Sequence, residues 1–131
     1  MTTAASSTDE PLQICLTLPG LVENARVARQ AMSGVATRNG LSDSDVEDLR
    51  IAVGETFAVL AHPPTTATRI RFLCRLQDDQ IEIHAERKPS RPLDVIAPIS
   101  VAILEGVVDE ARIDHANGRI ELVKRAHNRS I

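Results

Sequence analysis

The stretch that decides the fold is "DLRIAVGETFAVLAHPP", residues 48–64, a largely apolar run that carries a carboxylate, Glu55, near its centre. Ser42 ahead of it is a common N-cap residue, and Pro63-Pro64 behind it cannot continue a helix. The pattern therefore predicts a helix over Ser42–His62. At 3.6 residues per turn its apolar side chains form one stripe, which we expect to lie on a sheet. The stripe consists of Val46, Leu49, Val53, Phe57 and Leu60.

Glu55 faces away from that stripe. Its neighbours on the opposite face are Ile51, Ala52, Ala58 and Val59. Asp48 and His62 lie one heptad away on either side. A buried carboxylate costs free energy unless it is paired, so the sequence leaves two interpretations open. Either a loop half-covers this face and Glu55 reaches water, or the face lines a pocket or a partner surface.

Two further helices are predicted on either side of this one. Residues 21–38 carry apolar side chains at helical spacing and end at Asn39-Gly40, a typical helix stop. Residues 98–108, "PISVAILEGVV", begin with a proline and are apolar nearly all round, which indicates a short, well-buried helix. Residues 1–11 are polar and without periodicity, so we expect a disordered tail there and a single domain over residues 12–131.

The remaining segments read as strands, because apolar residues alternate along them. Residues 12–18, "LQICLTL", form the first strand, and two hairpins follow whose register can be predicted from both faces. The first hairpin pairs Leu76 with Ile81, Cys74 with Ile83, Phe72 with Ala85, Arg75 with Glu82 and Arg71 with Glu86. The second pairs Ile113 with Ile120, Arg112 with Glu121 and Asp114 with Arg119. The charged face is interpreted as a solvated face of the sheet.

The elements follow the order β, α, α, β, β, α, β, β. Strands that cluster in hairpins, rather than alternating strictly with helices, are typical of the α+β class. The sequence therefore predicts a mixed β-sheet with helices packed on one face.

Composition narrows the function classes. A net charge of −3 over 131 residues supplies no basic field, so we expect no direct binding of nucleic acid. No apolar run reaches the roughly 18 residues of a membrane span, and no signal peptide is recognisable, so the predicted location is cytoplasmic. Cys15 and Cys74 alternate within apolar strands and are interpreted as small core residues. The four histidines are scattered, and none is assigned a metal.

Residues 41–56, "LSDSDVEDLRIAVGET", resemble the start of the signature helix of bacterial anti-sigma factors with the histidine-kinase-like ATPase fold, or Bergerat fold. The resemblance covers nearly the whole chain. "DVIAP", then an apolar helix, then "DEARI", is especially similar to the actinobacterial stress-response anti-sigma factors. In that family an E-x-x-x-N motif supplies a catalytic base and a Mg²⁺-holding Asn, which implies that Glu55 stands at the position of the base.

The sequence departs from the family pattern at three sub-sites. The Asn position is Val59, whose side chain offers no oxygen to a hard cation. The family's D-x-G-x-G segment corresponds to "AERKPSRPL", residues 85–93, which has no glycine and carries Arg87 near the Asp position. The helix in "APISVAILEG", residues 97–106, begins without the glycines of the family's phosphate lid. We therefore expect neither ATP nor Mg²⁺ as a cofactor, and we interpret Glu55 as a vestigial base.

The resemblance implies an anti-sigma factor that sequesters a sigma factor by protein–protein binding, without kinase activity, and that an anti-anti-sigma factor releases. Arg26 and Arg29 are candidate partner contacts because relatives use an Arg of this helix, and simple solvation is the other interpretation. The alternative function is an ATP-dependent serine kinase that acts on an anti-anti-sigma factor with Glu55 as base. A different binding module that keeps only the fold, and a homodimer, also stay open.

Overall fold

The computed structural model describes residues 12–127, so the tail predicted at 1–11 and the last residues, 128–131, lie outside the described part. The elements follow the predicted order. The strands are β1 (Leu12–Gly20), β2 (Thr65–Leu76), β3 (Gln80–Lys88), β4 (Glu110–Asp114) and β5 (Arg119–Arg125). The helices are α1 (Asn24–Arg38), α2 (Asp43–Leu60) and α3 (Pro98–Val107).

The strands form a five-stranded sheet in the order β1-β2-β3-β5-β4, with every pairing antiparallel. The predicted α+β class is confirmed, but the prediction of a mixed sheet is wrong in strand direction. Helices α1 and α2 together return the chain to the end where β1 stopped, and Gly20 pairs with Thr65. The single helix α3 does make β3 and β4 parallel, but β5 lies between them and pairs with both.

The register predicted for both hairpins is confirmed. Every pair predicted for β2 with β3 and for β4 with β5 is present. On the open face of the sheet the predicted charges form ion pairs, with Arg71 3.3 Å from Glu86 and Arg75 3.6 Å from Glu82. The solvated-face interpretation therefore describes this surface.

Helix α2 lies on the other face of the sheet, as its apolar stripe predicts. The Ser42 hydroxyl accepts a hydrogen bond from the Asp45 amide at 3.2 Å and caps the helix. Of the predicted stripe, Leu49, Val53, Phe57 and Leu60 are buried, and Val46 packs at the edge of the same core. Helix α1 adds Ala28, Met32 and Ala36 to this core. The only two aromatic rings of the chain, Phe57 and Phe72, stack in its middle.

Two predictions of burial are wrong. Helix α3 buries only Leu104, and Ile99 is 69% exposed, because this helix packs mainly along α2 and leaves its other side open. Cys15 is exposed, since Ile14, Leu16 and Leu18 take the core-facing phase of β1. Cys74 is buried as predicted, and burial raises the pKa of its thiol to about 11.

Within residues 12–127 no helix has the length and apolar composition that a membrane span requires.

Candidate functional site

Glu55 lines a pocket of about 250 Å³ between α2 and the segment that leads into α3. Its carboxylate accepts a hydrogen bond from the Ser100 hydroxyl at 2.8 Å, and its side chain is half-buried. Both interpretations of Glu55 are therefore met in part: a loop covers it, and the face lines a pocket. Asp48 does not join the pocket, because it pairs with Lys124 at 3.1 Å.

The lining of this pocket offers few metal ligands. Val59 faces it at the position where the family carries the metal-holding Asn, together with Ala58, Val95 and Ala97. Glu55 and Asp94 bring the only carboxylates of its lining. Among the residues that the structure describes, no group of three or more His, Cys, Asp or Glu is placed to hold a metal ion.

Arg87 closes the sheet side of the site as a buried cation, with only 2% of its surface exposed. Its Nη1 donates to the His62 carbonyl at 3.0 Å and its Nη2 donates to the Pro92 carbonyl at 2.6 Å. The Leu60 carbonyl lies 3.5 Å from Nη1, so Arg87 caps the negative C-terminal end of α2. Burial, followed by the nearby Arg91, lowers the pKa of Arg87, against a smaller opposite effect of Asp94.

The loop that follows Arg87 is fixed to the β4–β5 turn. The Arg87 amide donates to the Gly118 carbonyl at 3.1 Å, and the Leu93 amide donates to the His115 carbonyl at 2.8 Å. Gly118 has a φ of 64°, and a Cβ added there would lie 2.6 Å from the Arg91 carbonyl oxygen. Only glycine fits this contact without strain. The turn thus holds the backbone that leads into the pocket lining.

The two candidate partner residues lie on α1 and differ in their surroundings. Arg26 is exposed, whereas Arg29 is half-buried across α2. A Cβ added to Gly54 would lie 3.1 Å from both Cδ and Nη1 of Arg29, so the guanidinium reaches the turn of α2 that carries Glu55. Within the described residues neither arginine forms an ion pair. The structure brings Arg29 beside the Glu55 face and leaves Arg26 open to solvent.

Sequence reasoning missed a buried ionic cluster at the other end of α2. Lys124 is 4% exposed. Its Nζ lies 3.1 Å from Asp48 and 3.6 Å from Asp45, and it donates to the Val107 carbonyl at 2.9 Å. A signal was present, because Lys124 continues the core-facing alternation of Ile120 and Leu122. Arg87 continues the alternation of β3 in the same way.

His127 extends this cluster. Its Nδ1 lies 3.3 Å from an Asp45 oxygen and its Nε2 lies 2.7 Å from an Asp109 oxygen. Two carboxylates facing both ring nitrogens favour the doubly protonated ring. Hydrogen bonds that the ring donates to Asp109 and then to Asp45 raise the pKa of His127. The cluster joins the start of α2 to the end of β5.

Comparison with known proteins places the fold. No family model matches the chain. A curated relative, "Serine-protein kinase RsbW" from Bacillus licheniformis, is 25% identical, and the match covers 76% of each chain. The crystal structure of the RsbU and RsbW domains of Rv1364c from Mycobacterium tuberculosis matches 86% of this chain with a TM-score of 0.67 and 21% identity. The chain has the fold of an RsbW domain.

These matches confirm the resemblance to anti-sigma factors of the histidine-kinase-like ATPase family. The chain spans about a third, 31%, of the length of that crystallised chain. The name of the relative assigns serine-kinase activity to that relative alone.

Proposed function

We propose that this chain is a cytoplasmic, anti-sigma factor-like regulator that sequesters a sigma factor by protein–protein binding, without phosphoryl transfer. The observation that carries the proposal is Arg87. It stands near the position of the family's adenine-contacting Asp, and its Nη donors are engaged with the carbonyls of His62 and Pro92. A carboxylate accepts hydrogen bonds from an amino group, whereas a guanidinium can only donate. Arg87 therefore cannot perform the role of that Asp.

The remaining pocket residues do not fit magnesium-ATP as the family binds it. Phosphoryl transfer depends on a held metal and positioned cations. Val59 offers no oxygen ligand, and residues 88–97 contain no glycine that would let backbone amides approach a triphosphate. Under this proposal Glu55 has no substrate to activate.

Partner binding is assigned to α1. Arg26 and Arg29 carry charges that no described residue pairs, so they remain available to a negatively charged partner surface. An anti-anti-sigma factor would release the sigma factor by competing for the regulator. A role in a stress response follows from the resemblance and belongs to this proposal.

A serine kinase acting on an anti-anti-sigma factor is the second candidate. The observation in its favour is that Glu55 still points into a pocket, and a relative bears the name of a serine-protein kinase. In that case Glu55 would be the base that accepts the serine proton.

Calorimetric titration with magnesium-ATP separates the two candidates. The sequestration proposal expects no binding in the micromolar range, and no phosphate transfer to an anti-anti-sigma factor from labelled ATP. The matched control is the same titration in EDTA. Weak adenine binding that does not depend on metal is compatible with sequestration. A micromolar dissociation constant that requires Mg²⁺ would contradict sequestration without nucleotide and favour the serine-kinase candidate.

A further inference from the structure

The outer face of α2 is the floor of a groove with a wall on each side. Two depressions, one beside α1 and one beside the segment before α3, share Ala58 and His62 of α2. They therefore form one continuous surface, here called the α2 groove. Its floor and walls are represented by Ala58, His62, Val22, Ala25, Val95 and Ala97.

The wall before α3 presents apolar side chains to solvent from a fixed backbone. Val95 is 99% exposed, and Val22 on the opposite wall is 67% exposed. The backbone leading to Val95 is held in place, since Pro92 accepts from Arg87 and the Leu93 amide donates to His115. Exposed apolar residues grouped around a groove are typical of protein-binding sites. A fixed wall also lowers the entropy that a partner must lose on binding.

The two walls carry opposite charges. Arg29 lies four residues after Ala25 on α1, Arg26 follows Ala25 directly, and neither arginine has an ion-pair partner among residues 12–127. The facing wall contains Asp94, whereas the Glu55 carboxylate beside it accepts a hydrogen bond from Ser100 of its own chain. The groove thus combines an apolar floor with one basic and one acidic margin.

We propose that the α2 groove receives an amphipathic helix of the sequestered partner, an inference that rests on the proposed function. The apolar stripe of that helix packs on Ala58 and against Val95 and Val22. Acidic side chains of the helix face Arg26 and Arg29, and basic side chains face Asp94. A strand does not suit this site, because the free strand edges of the sheet belong to β1 and β4, neither of which lines the groove. A helix needs no free strand edge, because its side chains alone make the contacts with a groove.

Substitutions in the wall test this inference. The sigma factors of the same organism serve as probes, and their dissociation constants are measured against the wild-type chain, Val95→Asp and Val22→Asp. The matched control is Val27→Asp, because Val27 is 43% exposed on α1 but lies on the side of that helix away from Val22 and Ala25. All three positions are exposed, so we expect the variants to fold.

We expect each wall variant to raise the dissociation constant at least about tenfold, and the control to change it less than about twofold. Hydrogen exchange on the bound sigma factor should show new protection in a helix with an apolar stripe. Binding that is equal for all variants, or protection confined to a strand or loop, would overturn the inference and leave the proposed function standing. A wild-type chain that binds no sigma factor would contradict the proposed function itself.

Discussion

Arg87 holds its positive charge inside the protein with carbonyl groups as its hydrogen-bond acceptors. Replacing it with Met would leave the partly buried His62 and Pro92 carbonyls without their donors. An unsatisfied buried polar group costs about 1–3 kcal/mol, so we expect Arg87→Met to lower the free energy of unfolding by about 1–3 kcal/mol. Urea denaturation measures this. Arg87→Lys should lose less, because the ammonium can still donate to one carbonyl.

Arg69→Met is the control for this prediction, since Arg69 is exposed on β2. It should change the free energy of unfolding by less than about 0.5 kcal/mol. Equal stability of Arg87→Met and Arg69→Met would show that Arg87 does not hold the end of α2.

Gly118 and Gly34 should respond to alanine with opposite signs. At Gly118 the φ is 64° and a Cβ would meet the Arg91 oxygen at 2.6 Å, so we expect Gly118→Ala to destabilise the protein by at least about 1 kcal/mol. At Gly34, inside α1, a Cβ would have no atom within 4 Å. There alanine should stabilise the helix by about 0.5–1 kcal/mol. Thermal unfolding of both variants checks the pair, and a stabilising Gly118→Ala would contradict the contact.

Single residues were predictable from sequence only where their neighbours are local. The alternation of β3 and β5 is sufficient to direct Arg87 and Lys124 inward. It cannot supply their partners, because the His62 carbonyl is 25 residues away from Arg87 and Asp48 is 76 residues away from Lys124. A buried cation is intelligible only once those distant oxygens are in place.

Helix and strand predictions succeeded where two independent patterns agreed. The hairpins were fixed by apolar pairs on one face and opposite charges on the other, and α2 by an apolar stripe with a Ser42 cap. The prediction that α3 is well buried failed because its sequence is apolar all round. Such a sequence does not specify which face of the helix is buried. In the structure it packs mainly along α2 and leaves Ile99 exposed.

The contact between α2 and the end of β5 should depend on pH through His127. The folded state raises the pKa of His127 above 6.5, through Asp109 and then Asp45. Its contribution is therefore complete below about pH 6.5 and is lost as the pH rises through the folded pKa. For Asp109, partial burial opposes ionisation, but hydrogen bonds from the Arg125 amide and His127 prevail and lower its pKa. That contribution is lost as the pH falls below about 3.8.

We accordingly expect the free energy of unfolding to decline as the pH rises above about 6.5, and His127→Gln to flatten that decline. Urea denaturation across this range provides the measurement. His115→Gln, in the exposed β4–β5 turn, is the control and should preserve the slope. An unchanged slope in His127→Gln would show that the ring is not held in its charged form.

The molecule as a whole has the RsbW-type fold, Val59 lines its pocket, and the buried Arg87 holds the loop that leads into that pocket. The fold was predictable because it depends on the order of the elements and on strand register. Both follow from the spacing of apolar and charged residues along short segments. The proposal of binding without catalysis rests on the departures from the family pattern at Val59 and Arg87. Reversing the charge at the contacting arginine, by Arg26→Glu or Arg29→Glu, should cost about 2 kcal/mol of binding free energy. Pull-down against sigma factors tests both variants.

The most direct test of the central claim is the dissociation constant of the sigma factor complex, measured in EDTA and again with magnesium-ATP, for the wild-type chain and Glu55→Ala. Glu55 contacts Ser100 within its own chain and lies on a different helix from Arg26 and Arg29. We predict the same dissociation constant under both conditions, and less than about a threefold change in Glu55→Ala. Binding that requires magnesium-ATP, or that disappears in a folded Glu55→Ala variant, would contradict sequestration without nucleotide.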